Sequence, residues 1–305
     1  MSTILVSGLI NIETTLRVAG FPLEYNPVNF PFWGVNSTVS GVGYNITKAL
    51  TTLDNTVRFV SLIGDDLGAQ LVRAALAHDG LPQTHVLGEL RQTPQSAILY
   101  EPSGRRQIHV DLKDAQERPY PPARFAEALA EVDLAVLCNI NFSRPFLRTA
   151  RECGVRIATD VHTIADLDDD YNRDFMAAAD ILFMSDEALP LPPEQWAREV
   201  LARYPAEIVV IGLGAQGALL AVREDGFVGR FPAVHTRPVV NSIGAGDALF
   251  SAFIHFYTQG RDPYRALRNA QVFASYKIGD KGAAEGFLTE TELAVWLLRL
   301  QMREV

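Results

Sequence analysis

Cysteine is nearly absent from this chain: Cys138 and Cys153 are the two in 305 residues, and they form no CxxC pair. That scarcity excludes a disulfide scaffold and a thiolate zinc site, and it fits a reduced compartment. The six histidines, at positions 78, 85, 109, 162, 235 and 255, show no HxH or HExxH spacing, so each reads as a surface or core residue. No stretch reaches about 18 consecutive apolar residues, and the opening MSTILVSGLINIETT has neither a basic n-region nor a small-residue cleavage site. A soluble, unexported, cytoplasmic protein is the expectation. Positive charge is also short, with 27 Lys and Arg against 36 Asp and Glu and a net charge of −9. This argues against nucleic acid or a membrane surface as partner. Internal repeats, low-complexity tracts and linkers are missing as well, which leaves small-molecule chemistry in a globular chain.

Apolar residues make up 48% of the sequence, enough to bury a sizeable core. Short apolar runs at 4–6, 57–62, 134–138, 156–159, 181–184 and 208–211 read as buried parallel strands. Stretches with helical periodicity lie between them, including 45–53, 68–78, 122–131 and 194–204. The alternation predicts a doubly wound, mostly parallel α/β sheet with helices on both faces, in a single domain over 1–305. Two β-like inserts, at about 12–40 and 91–114, break the rhythm. In the second, SAILYEPSGRRQIHVDL reads as a hairpin turning at Pro102-Ser103-Gly104. The inserts predict a few antiparallel strands forming a small lid over one edge of the main body.

Two glycine motifs bear on chemistry. Gly212-Leu213-Gly214-Ala215-Gln216-Gly217 matches GxGxxG after a predicted strand, but a dinucleotide site then requires a helix. The following GALLAVREDGFVGRF, with Asp225-Gly226 between apolar segments, reads as a hairpin. A nucleotide-edge turn of another kind is favoured over a bare structural turn or an NAD-type site. In NSIGAGDALFSAFIHFY, Gly244-Ala245-Gly246 enters a predicted helix whose open N–H groups suit an anion. Asp247 beside that anion is unfavourable unless it has a task such as taking a hydroxyl proton. On local sequence alone a capping role and a catalytic one weigh evenly.

NSIGAGDALFSAF resembles the C-terminal signature of the ribokinase-like (PfkB) carbohydrate kinases, and SGVGYNITKAL with the later GDDLG resembles their N-terminal signature, some 200 residues earlier. The resemblance covers most of the chain. It implies a parallel sheet between helices with a small β lid, and transfer of the γ-phosphoryl group of ATP to an alcohol. Carried over, it makes Asp247 the base and the Gly244, Ala245 and Gly246 amides the anion hole. Gly41, Gly43 and Asn45 match the substrate element, with Ser40 replacing its first glycine. Glu13 takes the place of a sugar-gripping aspartate, with Asn11 two residues earlier. Leu213, Gly214 and Gly217 match the nucleotide-edge LGxxG turn, with Gly212 in place of a common threonine. Ala274 and Ser275 match the segment on the adenine side.

There are departures from the family's pattern. The usual N-x-x-E element that organises hydrated Mg²⁺ is replaced by Ser185 and Ala188; either Asp186 or Glu187 substitutes through water, or water and phosphate oxygens supply most of the ligands, and no direct protein ligand is assigned. Asn241 stands for the more usual aspartate. The resemblance admits a monovalent cation without deciding it. His162, in ATDVHT beside Asp160, follows a strand end from which it could approach the phosphates, but the surface or core reading outweighs that one, and Arg105-Arg106 reads as a solvated hairpin tip. Tyr25, Phe30, Phe32 and Trp33 would pack the lid or a homodimer interface, or stack on a ring-bearing substrate. The expected acceptor is a hydroxymethyl group of a sugar or sugar derivative. A nucleoside kinase and a catalytically weak, sugar-binding regulatory protein are the alternatives.

Overall fold

The computed structural model describes residues 2–103 and 105–301. Its main sheet contains β1 (Thr3–Ser7), β4 (Thr56–Ile63), β5 (Val86–Gly88), β8 (Leu134–Leu137), β9 (Ile157–Asp160), β10 (Ile181–Ser185), β11 (Ile208–Gly212), β12 (Ala218–Val222) and β13 (Phe227–Phe231). Their order is β13-β12-β11-β10-β9-β8-β1-β4-β5. From β5 to β11 every pairing is parallel, and β12 and β13 add an antiparallel edge. The strand after GLGAQG is therefore β12, turning at Gly226 (φ 70°) into β13, and no helix follows the motif.

Side-chain alternation along β1 shows why helices cover both faces. Ile4 and Val6 join one core with α1 (Val42–Thr52), α2 (Leu67–His78), α7 (Ala245–Gly260), α8 (Pro263–Lys277) and α9 (Glu290–Gln301). Leu5 joins the other core with α3 (Pro122–Leu129), α4 (Pro145–Glu152), α5 (Arg173–Ala178) and α6 (Pro193–Arg203). A strand buried on both faces has no polar side to alternate, hence its continuous apolar run. Phe183 of β10 meets Phe250 and Phe253 of α7 edge-on at 4.9 and 5.2 Å, which fixes α7 against the sheet.

The two inserts form a separate sheet in the order β3-β2-β6-β7, from β2 (Asn11–Arg17), β3 (Val35–Ser40), β6 (Gln95–Tyr100) and β7 (Arg106–Asp111). Its outer pairs are antiparallel, as expected, but β2 and β6 run parallel. These two strands come from different inserts and are not joined by a hairpin, so nothing forces them to be antiparallel. Of the predicted turn, Gly104 lies outside the described residues. Tyr25, Phe30, Phe32 and Trp33 do not pack this sheet; they are exposed, Trp33 at 98%. No helix among the described residues is long and apolar enough to cross a membrane.

Candidate active site

The candidate residues gather at the carboxyl ends of the parallel strands, where an open α/β sheet leaves its crevice. The crossover from β1 carries the chain to the small sheet and back to α1. Gly43, at the start of α1, lies so close to Gly8 that an added Cβ would stand 2.5 Å from the Gly8 carbonyl carbon. This glycine of the matched substrate element packs on protein backbone, and it lets α1 sit down on the end of β1. Gly41 holds φ 107°, and a Cβ there would meet Leu9 O at 2.6 Å. One turn later, Asn45 Nδ2 donates to Asp247 Oδ2 at 2.7 Å, joining residues 202 positions apart.

Asn11 and Glu13 are two apart on β2 and so share a face of the small sheet. Asn11 Nδ2 donates to Ser96 Oγ at 3.0 Å, while its buried Oδ1 has no partner among the described residues. Ser40, the register partner of Asn11, lies between Glu13 and Asn45 Oδ1, the latter at 3.4 Å. Its single proton cannot serve both acceptors. Burial raises the Glu13 carboxyl above its ordinary value, and the charge of Asp247 adds to this. Asp247 is half-buried and is raised for the same first reason; Asp160 adds to the rise, while Asn45, His162 and Lys277 oppose it.

Gly244 is the N-cap of α7, with φ 74° and ψ 10°. An added Cβ there would lie 2.3 Å from Ala283 O, so both conformation and space require glycine. No side chain caps this helix. The Ala245 N–H turns back to Ser242 O at 3.2 Å, and the Ala248 N–H bonds Gly244 O at 3.0 Å. Gly244, Gly246 and Asp247 N–H have no acceptor among the described residues. Of the three amides expected to form an anion hole, those of Gly244 and Gly246 are open and that of Ala245 is engaged, while the Asp247 amide is open as well.

The residues expected on the nucleotide side lie at the neighbouring strand ends, on α8 and in the loop ahead of α7. Ser185 and Gly212 are register partners in β10 and β11, and Asp186 N–H bonds Gly212 O at 3.1 Å. Gly214 opens a single 3-10 turn. Gly217, at φ 100°, packs so close to Phe231 O that a Cβ would stand 2.1 Å away. Ser275 Oγ accepts the Thr236 N–H at 3.0 Å, so the hydroxyl ties α8 to the segment ahead of α7. Ala274 is its neighbour on α8. Asn241 Nδ2 donates to Asp280 O and Lys281 O at 3.2 and 2.6 Å.

Three further charged residues converge on the site. Arg106, assigned to solvent on sequence grounds, reaches from β7 to Ser242 Oγ at 3.3 Å. A hairpin tip in sequence gives no sign that it folds over a helix terminus. Asp160, at the end of β9, accepts the His162 N–H at 2.7 Å and acts on Asp247. Lys277, fully buried at the end of α8, donates to Ile243 O. Its sequence signal was a lone lysine at the end of an amphipathic helix, where it reads as a dipole cap.

The pfkB family carbohydrate kinase model matches residues 1–290. The chain belongs to the PfkB carbohydrate kinase family. Acarbose 7(IV)-phosphotransferase of an Actinoplanes species is 30% identical over 275 residues, covering 90% of this chain and 91% of that protein. ATP-dependent ribose-1-phosphate kinase of Halopiger xanaduensis is 27% identical, with 93% of this chain and 94% of that protein covered. Among solved structures, the microbiome-derived acarbose kinase Mak1 superposes with a TM-score of 0.86 at 27% identity, covering 98% and 99% of the two chains. Ribokinase from Giardia lamblia shares the fold, with a TM-score of 0.83 over 98% and 99% of the chains at 16% identity. The protein is therefore a kinase of the PfkB type, and ATP use follows from the family.

Proposed function

We propose that this PfkB kinase transfers the γ-phosphoryl group of ATP to a hydroxymethyl group of a sugar or sugar derivative, with Asp247 as the general base. The observation that carries the reading is the Asn45 to Asp247 bond at 2.7 Å, which aims a carboxylate beside an uncapped helix N-terminus. In the step, the acceptor hydroxyl gives its proton to Asp247 as its oxygen forms the new bond to the γ-phosphorus. The bond from that phosphorus to the β,γ-bridging oxygen breaks, and ADP leaves. Because the transition state is loose, positioning and charge neutralisation carry most of the catalysis.

Glu13, Asn11 and Asn45 hold the acceptor's hydroxyls, and the open Asn11 Oδ1 gives it a built-in acceptor. Gly41 and Gly43 set the backbone that presents Asn45. The N–H groups of Gly244, Gly246 and Asp247 take the transferring oxygens, and Arg106 neutralises them from the small sheet. Ser185, Gly212, Gly214, Gly217, Ala274 and Ser275 shape the nucleotide edge. Mg²⁺, when bound with ATP, would supply charge neutralisation for the phosphates. Among the described residues no three His, Cys, Asp or Glu side chains come together to hold a metal directly, so Asp160 and Asp186, half-exposed at adjacent strand ends, and the exposed Glu187 would meet a magnesium only through the waters it keeps.

The test is ADP release with MgATP against a panel of monosaccharides, acarbose, sugar phosphates and nucleosides, with ³¹P NMR locating the new ester. A primary phosphoester on a sugar is the expected product. ADP release with nucleosides alone would move the chain to the nucleoside kinases. A thermal shift from a sugar without any ADP would make it a binding protein.

A further inference from the structure

Lys277 has no task in the reaction above, yet it is fully buried, where an ammonium is costly unless paired. The carboxylates facing it come from several elements: Asp247 on α7, Glu13 on β2, and Asp280 and Glu285 in the segment after α8. Each is already engaged. Asp247 accepts from Asn45, and Glu13 competes with Asn45 Oδ1 for the Ser40 hydroxyl; Asp280 accepts the Lys281 N–H at 2.8 Å and Glu285 the Gly282 N–H at 3.1 Å. The ammonium therefore lies in a negative basin and donates to a carbonyl, Ile243 O. The position of that carbonyl matters. Peptide 243–244 is planar and trans, so its C=O and the Gly244 N–H point in opposite directions. Anchoring the oxygen on Lys277 turns the Gly244 N–H outward at the N-terminus of α7.

Asn241 secures the other end of the same loop. Its amide donates to the carbonyls of Asp280 and Lys281 and accepts the Ile243 N–H at 2.9 Å. A carboxylate at this position would still accept that N–H, but it would face the two carbonyls with nothing to donate. Such a set of oxygens calls for a cation. Here the carbonyls of 243, 280 and 281 are already taken by N–H donors, so these residues do not fit a monovalent metal ion.

We propose that Lys277, with Asn241, is a built-in replacement for a bound monovalent cation: the ammonium positions the loop that carries the anion site, making this kinase independent of potassium. The proposal rests on the kinase reading of that loop, but its test does not depend on turnover. Melting temperature and MgATP affinity would be compared in potassium, ammonium and choline chloride at equal ionic strength. The wild-type protein is expected to give the same values in all three. Lys277→Ala opens an ammonium-sized space beside Ile243 O. It should lose about 10²-fold in turnover and gain a saturable rise in melting temperature with potassium or ammonium but not with choline. Asn241→Asp should acquire a potassium response of the same kind. Saturable stabilisation of the wild type by potassium, or a folded Lys277→Ala indifferent to all three ions, would overturn the proposal. If Lys277→Ala does not fold, the wild-type and Asn241→Asp melts still decide. Should no acceptor yield ADP, the kinase reading fails while the ion comparison stands.

Discussion

At the residue scale, the site holds charges that burial opposes. Asp247 and Glu13 are raised and Lys277 is lowered to about 8, each first by burial. A base must be ionised to work, so the acid limb of kcat should lie above the ordinary aspartate value of 3.8. An alkaline limb near 8 should follow loss of the Lys277 proton, and Lys277→Arg, which keeps its charge, should push that limb upward. The stability effect of Asp247 has the opposite sign to its catalytic use. A carboxyl with a raised folded value binds its proton more tightly when folded, so its contribution to stability falls as pH rises from the unfolded value through the folded one. At neutral pH, Asp247→Asn should therefore melt higher than wild type, by about 2 °C, while losing about 10²–10⁴-fold in kcat with ATP affinity little changed. Calorimetry and single-turnover kinetics on the same preparation check both halves. A variant that keeps near-normal turnover removes Asp247 as base.

At the scale of elements, two helix starts and one hairpin do the positioning. Gly43→Ala would push a methyl group into the Gly8 backbone at 2.5 Å and lift α1. We expect about 1–3 kcal/mol of destabilisation, with kcat falling because Asn45 moves away from Asp247. Gly244→Ala meets both the positive φ and the Ala283 carbonyl at 2.3 Å. Its cost should show mainly in turnover, since it displaces the open N–H groups. Arg106→Gln should leave the melting temperature within about 1 °C, because an exposed hydrogen bond contributes little. It should lower kcat about tenfold or more if Arg106 meets the transferring phosphoryl group. Unchanged kcat would return that arginine to solvent.

At the scale of the whole molecule, the two sheets differ in how they are buried. The strands of the main sheet from β1 to β12 lie between two cores, whereas β7 is exposed along its length and β3 along most of it. Hydrogen exchange should find β1 and β8 to β11 protected up to global unfolding. The small sheet should open at lower free energy and gain protection when sugar and nucleotide bind together. Its exposed Val35, Ile108 and Val110, with two free strand edges, suit pairing with a second copy, and we propose a homodimer through this sheet. Sedimentation of the wild type against a Val35→Lys/Ile108→Lys variant tests it, a wild-type monomer being the contrary result.

The strand runs, the helices between them, the two β inserts and the pair of glycine-rich signatures could be read from the sequence. Each is written in short-range terms: an apolar run for a strand buried on both faces, a 3.6-residue period for a helix, a glycine where φ must be positive. The hairpin after GLGAQG was legible in the same way, through Asp225-Gly226. Tertiary structure decided what touches across long separations. It placed Asn45 on Asp247, Arg106 at Ser242, Gly43 against Gly8, and β2 parallel to β6. It also turned Lys277 from a helix-terminal charge into a buried ammonium beneath the α7 N-terminus. A residue's pattern with its neighbours fixes the face it lies on, but the partner it meets depends on how distant elements pack, and the charges of this site come from elements far apart in the chain.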